Sequence, residues 1–236
     1  MSEEPHAFTV YGNIFSPWSN AVTVFCKEAD IEFKEQNVDI FQSEQKQEAF
    51  AKLNPMKQIP VMQQGDFVLP ESYAILKYLE TSFRHKVSSG WYMHDSVEDM
   101  YAIDNAVSLF MNLFSEPINK LVEVVIKSKL RTVPMNLSKN MVRQLLIDGI
   151  HWLDLFIRGS PGIRKGYFHL FAEEPTLADC YICVVLMALL YTRNEDLLFL
   201  KDSVKNLYLN NYIKMPAMED CQDKFLDEML EKKLLT

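Results

Sequence analysis

The apolar residues of this chain change their spacing once. Short strand-like runs alternate with helices over about the first eighty residues, and beyond residue 95 only helical spacing is found. Phe8 to Tyr11 reads as a short strand. The turn Phe15-Ser16-Pro17-Trp18-Ser19-Asn20 leads into a helix that runs through Val22, Phe25 and Cys26 to Ala29. Pro17 suits a first helical turn, where its missing N–H costs nothing. Ile31 to Val38 is a second strand, and Ser43 to Leu53 a second, polar helix. Asn54-Pro55 ends that helix. Ile59 to Gln63 and Phe67 to Leu69 then read as two strands about a Gln64-Gly65-Asp66 turn, and a third helix opens at Pro70-Glu71-Ser72.

A βαβ half followed by a hairpin and a closing helix is the thioredoxin-like plan. The expected fold is therefore an α/β thioredoxin-like unit (βαβαββα) followed by an all-helical one. The apolar rhythm lapses between His85 and Asp95 around Trp91-Tyr92, which predicts domains at 1–84 and 96–236 joined by a linker at 85–95. In the second part Met100, Ile103, Val107, Phe110 and Phe114 step by three and four, and Met141, Leu145, Ile150, Leu153 and Phe156 continue in kind.

Composition narrows the function. The chain has 236 residues, 48% of them hydrophobic, enough for packed cores. Its formal charge of -8 opposes the counterion release that drives nucleic-acid binding, so no nucleic-acid partner is expected. Met1-Ser2-Glu3-Glu4-Pro5 carries no apolar or Arg-rich targeting pattern, and the most apolar stretch, Cys180 to Tyr191, is too short to span a bilayer. A cytoplasmic protein is expected. The four cysteines, Cys26, Cys180, Cys183 and Cys221, suggest buried thiols rather than a disulfide framework. The Cys180-x-x-Cys183 spacing falls inside an apolar helix, not at a strand-to-helix turn. Histidines 6, 85, 94, 151 and 169 have no zinc-site spacing, so no metal is expected. Met215, Met218 and Met229 read as core, and Glu231-Lys232-Lys233 as a solvated helix end.

The stretch Asn54-Pro55-Met56-Lys57-Gln58-Ile59-Pro60-Val61, followed by Glu71-Ser72-Tyr73-Ala74-Ile75-Leu76-Lys77-Tyr78-Leu79, resembles the N-P-x-x-x-[VI]-P … E-S-x-A-I-x-x-Y-L pattern of cytosolic glutathione transferases. Thr176-Leu177-Ala178-Asp179 resembles the capping box that opens the central helix of that family's second domain. Such a box satisfies orphan helix N–H groups and carries no chemistry. Phe15 to Val22 looks most like the theta-type class, whose activating residue is a serine at the mouth of the first helix.

The resemblance implies a glutathione S-transferase with glutathione as co-substrate, a hydrophobic electrophile as second substrate, and a homodimer. Ser16 would stabilise the glutathione thiolate, helped by the positive end of the adjoining helix. Only a few per cent of a thiol with a pKa near ~8.5 is ionised at neutral pH, so such a donor has work to do. Ser16 and Ser19 acting merely as caps is the plainer alternative, and Tyr11 is a rival donor. Thioredoxin-like oxidoreductases carry Cys-Pro-x-Cys at this turn. Here it reads Ser16-Pro17-Trp18-Ser19, which argues against disulfide exchange. By the same resemblance Glu71 holds the γ-glutamyl ammonium group and Ser72 its carboxylate. A cis Ile59-Pro60 bond presents the Ile59 backbone to the cysteinyl part, and Gln45, Lys46 and Gln58 stand where the glycine carboxylate needs donors. Asn112-Leu113-Phe114-Ser115 lacks the arginine that theta-type enzymes tend to place there. These thinned glycine-end contacts motivate a second expectation, a non-catalytic scaffold or assembly subunit with protein partners.

Overall fold

The computed structural model describes residues 7–87, 91–92, 96–129, 147, 149–167, 169–187, 204 and 215–232. Four strands, β1 (Thr9–Gly12), β2 (Lys34–Asn37), β3 (Val61–Gln64) and β4 (Phe67–Pro70), form one sheet in the order β2-β1-β3-β4. β1 runs parallel to β2 and antiparallel to β3, and β3 pairs antiparallel with β4. Helices α1 (Pro17–Glu28), α2 (Glu48–Leu53) and α3 (Ser72–Ser82) complete the thioredoxin-like βαβαββα unit. A helical part follows: α4 (Val97–Lys129), α5 (149–159), α6 (Pro161–Arg164), α7 (Leu177–Leu186) and α8 (Pro216–Glu231). Met141, Leu145 and Tyr191 lie outside the described residues, as do His6, His94 and Lys233.

Two elements differ from their sequence expectation. The second strand is confined to Lys34–Asn37, all exposed on a charged sheet edge, while Ile31 turns into the core. The expected helix from Ser43 to Leu53 is split into a 3-10 turn at Glu44–Lys46 and the six-residue α2, with Gln47 extended between them. The cause is local competition. Ser43 sits in the left-handed region (φ 56), the Glu44 carboxylate accepts from the Asp39 N–H at 2.6 Å, and the Asp39 carboxylate accepts from the N–H groups of Phe41 and Gln42. Only Phe50 of α2 is buried, so packing offers little to pull the segment straight.

The main core runs through both parts without a break, from the sheet through α1 into α4, α7 and α8. α1 is the hinge of this arrangement. Ala21, Val22, Val24, Phe25 and Cys26 are all at 0% exposure, and the polar Ser19, Asn20 and Thr23 are buried with them, so the helix is covered on nearly every side. A smaller cluster of Val38, Phe50 and Val61 lies under α2. On α4 the residues Ile103, Val107, Phe110 and Phe114 are buried at the expected spacing, with Met100 packed at the margin. α7 is buried over its whole length and begins with a full Thr176/Asp179 capping box. Met218, Cys221, Phe225 and Met229 seat α8 against the core. Its first turn is tied to α1 from outside, because the Glu28 carboxylate accepts from the Ala217 N–H at 2.6 Å and Lys27 pairs with Asp220 at 3.0 Å. Trp91 and Tyr92 are buried between the two parts, and the Trp91 carbonyl accepts from the Leu177 N–H at 2.7 Å.

Candidate functional site

Sheet register gathers the singled-out residues at one edge. Val61 stands opposite Tyr11 on one side and Pro70 on the other. The segment before β3 (Ile59-Pro60), the one after β1 (Asn13 to Ser16) and the one after β4 (Glu71-Ser72) therefore leave the sheet together. β2, parallel to β1, sends the stretch that carries Gln45 and Lys46 out of the same edge.

The turn before α1 is wired by Asn13, which is buried. Its side-chain amide donates to the Asn37 side-chain oxygen and the Val38 carbonyl, both at 3.0 Å, and its own oxygen accepts from the Phe15 N–H at 2.9 Å. Ser16 then adopts an extended conformation as N-cap, with Pro17 at the first helical position. Its Oγ accepts from the Ser19 N–H at 3.2 Å, and the residue is 6% exposed. A hydroxyl in this state satisfies an orphan helix donor and still has its own proton to give. No acidic residue stands in the first turn of α1, so nothing there opposes an anion. Gly12 lets the helix come close: a Cβ at Gly12 would approach the Ser19 Cβ to 2.9 Å. The Trp18 indole N–H donates to Asn119 Oδ1 of α4 at 2.8 Å and joins this turn to the helical part.

The loop into β3 is organised by Asn54, 3% exposed, whose amide donates to the Gln58 carbonyl at 2.8 Å and whose side-chain oxygen accepts from the Met56 N–H at 3.0 Å. Lys57 has φ 56 and the Ile59-Pro60 bond is cis, as expected from the sequence. Lys46 reaches this loop, its Nζ donating to the Lys57 carbonyl at 3.3 Å. Lys46 and Gln58 are exposed, and Gln45 is half-buried with an Oε1 that has no hydrogen-bond partner among the described residues.

Glu71 is exposed and adopts φ 72, ψ 109, a conformation that a non-glycine residue holds only under constraint from its surroundings. Ser72 begins α3, again with no acidic residue in the first turn. Its Oγ lies 2.8 Å from the hydroxyl of Tyr181 on α7, and both residues are buried. The ring of Tyr181 is flanked by Trp18 at 6.1 Å and, edge-on, by Tyr73 at 5.5 Å. Tyr73 and Tyr92 donate to the Asp104 carboxylate of α4, and Lys77 pairs with it at 2.8 Å. Burial and, after it, the hydrogen bond to Asp104 push the Tyr73 phenol far above its ordinary pKa. Burial alone would lower the pKa of Lys77, but its bonds to Asp104 and Tyr92 outweigh that and hold it above the ordinary value. Neither Tyr181 nor the Trp18–Asn119 pair was singled out from sequence. Tyr181 is an aromatic in an apolar run and Trp18 one within a polar turn, and the polar partner of each lies about a hundred positions away.

Tyr11 donates to the Gln63 side chain at 3.0 Å and packs on the α2 face of the sheet, beside Val38 and Val61. On that face a cleft of about 540 Å³ is lined by Tyr11, Gln36, Glu44, Phe50, Lys52 and Gln63, and none of the other candidate residues reaches it. The four thiols are buried, and burial pushes each up, that of Cys221 to about 12. They stay protonated at neutral pH, which suits core packing. Among the described residues no helix is long and apolar enough to cross a membrane.

Two helix N-termini facing one sheet edge, a cis-proline loop and a constrained acidic residue before the third helix define a thioredoxin-like domain of the glutathione-transferase kind. Residues 6–81 match the model of the "Glutathione S-transferase, N-terminal domain" family. Human glutathione S-transferase theta-1 is 40% identical over 86 residues, and that match spans 36% of this chain but only 35% of the relative. Glutathione S-transferase T1 of Arabidopsis thaliana is 28% identical over 201 residues, covering 84% of this chain and 79% of the relative. Human glutathione transferase theta-2, solved in complex with glutathione, superposes with a TM-score of 0.78 at 20% identity, covering 97% of this chain and 92% of that one. Glutathione transferase F7 from Populus trichocarpa superposes with a TM-score of 0.76 at 19% identity, over 92% and 99% of the two chains. Residues 6–81 thus form a glutathione S-transferase N-terminal domain, and the chain as a whole has the fold of the solved glutathione transferases.

Proposed function

We propose that this protein is a glutathione S-transferase in which Ser16 donates its hydroxyl to the glutathione sulfur, stabilises the thiolate, and so prepares it to attack a small hydrophobic electrophile. The observation that carries this reading is the convergence of Ser16, the cis Ile59-Pro60 loop and the Glu71-Ser72 helix start at one sheet edge, in a domain that matches the glutathione S-transferase model. In this reading 1–84 is the glutathione-binding domain, 85–95 the linker and 96–236 the helical domain. The α1 N-terminus favours the thiolate, and that of α3 favours the γ-glutamyl carboxylate beside Ser72. Glu71 holds the ammonium group, the Ile59 backbone pairs with the cysteinyl unit, and Lys46, Gln45 and Gln58 flank the glycine end. The electrophile sits between the domains near Trp18, and the working unit is a cytoplasmic homodimer.

Titration calorimetry with glutathione at two pH values, for the natural protein and Ser16→Ala, tests this. Binding with proton release that vanishes in the variant is the expected result, and no binding at millimolar glutathione overturns it. A non-catalytic scaffold is the second reading. It is favoured by the engagement of Lys46 with the Lys57 carbonyl, and by the absence of an arginine from Asn112 to Ser115. Co-purification of a stable larger partner, with no glutathione binding, would decide for it.

A further inference from the structure

The Ser72–Tyr181 pair has a property that a lone serine at a helix start lacks. Two hydroxyls 2.8 Å apart hold two protons and share one hydrogen bond, so one proton is always left over. If Ser72 donates to Tyr181, the Ser72 oxygen faces outward only as an acceptor and repels a carboxylate. If Tyr181 donates to Ser72, the Ser72 proton is freed to point at an incoming anion, and the chain of bonds polarises in one direction. An anion at the α3 N-terminus selects the second arrangement.

We propose that Tyr181, from the helical part, is a positioning residue for the ligand carboxylate: it donates to Ser72 so that Ser72 donates to the γ-glutamyl carboxylate. This rests on the glutathione reading above and adds a residue to it. Three further observations fit. Burial keeps the Tyr181 phenol protonated by raising its pKa, so it remains a donor across the physiological range. Its ring is clamped between Trp18 and Tyr73, which limits where the hydroxyl can go. The capping box at Thr176 and Asp179 anchors the helix one turn earlier. The carboxylate subsite is thereby assembled from residues 109 positions apart, one from each part of the molecule.

Tyr181→Phe removes one oxygen and leaves the ring and its packing. Affinity is measured by calorimetry for glutathione and for 4-aminobutyryl-cysteinyl-glycine, which differs only by lacking the γ-glutamyl α-carboxylate. Tyr181→Phe is expected to weaken glutathione about tenfold and to leave the decarboxylated analogue unchanged. The double variant Ser72→Ala/Tyr181→Phe is expected to be no weaker than Ser72→Ala alone, because the two hydroxyls act in series. Equal loss for both ligands would mean a merely structural role and overturn the proposal, as would wild-type affinity for glutathione in Tyr181→Phe. Failure of the natural protein to bind glutathione at all would instead overturn the functional reading, and this proposal with it.

Discussion

Helices α1 and α3 both open beside a serine at the same sheet edge, but they are built in opposite ways. The groups that shape the backbone at the start of α1 come from nearby chain or the adjoining strand, namely Asn13, Pro17, Ser19 and Asn20 with Asn37 and Val38 beside them, while the Trp18 side chain adds one bond to Asn119 of α4. Among the described residues the Ser16 hydroxyl is bonded only within its own helix, to the Ser19 N–H. The start of α3 is held from afar. Glu71 sits in a constrained backbone, Ser72 is hydrogen-bonded to Tyr181 of α7, and Tyr73 and Lys77 are pinned to Asp104 of α4. A locally built terminus keeps its geometry wherever the sheet goes. One built by distant residues reports whether the helical part is docked.

The strongest way to break that distinction is to loosen α7. Asp179 accepts from the Leu170 N–H, the Thr176 N–H and the Thr176 hydroxyl, at 2.8, 2.9 and 2.6 Å. Asp179→Ala strands those buried donors and is expected to cost about 3 kcal/mol of stability by urea unfolding. Glutathione affinity should fall with it, since Tyr181 rides on the same helix.

Ser16→Ala should instead separate stability from chemistry. Loss of the cap costs about 1 kcal/mol. Loss of the proposed thiolate donor is expected to lower turnover about a hundredfold, with the bound thiol's pKa returning toward ~8.5 in a 240 nm thiolate titration.

Glu71→Gly sharpens the contrast in the other direction. Glycine tolerates φ 72, so the variant should be more stable by about 1 kcal/mol in thermal unfolding while binding glutathione at least about tenfold more weakly. A rise in both stability and affinity would show that the constraint at Glu71 serves neither.

The smallest effect concerns α8. Hydrogen bonds from Lys224 and Lys27 hold the Asp220 carboxyl below its usual pKa. A depressed carboxyl stabilises the fold above its unfolded value of ~3.9, and that contribution is lost as pH falls through the lower, folded value. Because the pair is solvent-screened, Asp220→Asn at pH 7 should cost less than about 1 kcal/mol, and 1 M salt should remove most of the difference.

The sequence was legible where structure is made locally. The α1 start, the cis-proline loop and the Thr176/Asp179 box each depend on residues within a few positions, and the apolar spacing on α4 announces its buried face. The segment from Ser43 to Leu53 was not, because its polar residues bond to one another and to the backbone, and composition does not reveal which of those bonds win. Tyr181 was hidden for a different reason. A tyrosine among Cys180, Ile182, Cys183 and Val184 reads as core, and only tertiary packing shows that its hydroxyl meets Ser72. The charge and hydroxyl pattern around Asp104 was hidden in the same way.

The all-round burial of α1 carries one more consequence. The stretch that matches the family model, residues 6–81, includes a helix whose outer flank is packed against α7 and α8. Cut free, that module would present a strip of the α1 surface to water, and Phe15 would lose its contact with the Phe225 ring, 5.5 Å away. The segment that matches the family model is therefore not a unit that melts by itself. Heat or denaturant should see one cooperative transition, in which the sheet and the helices that follow it are lost together.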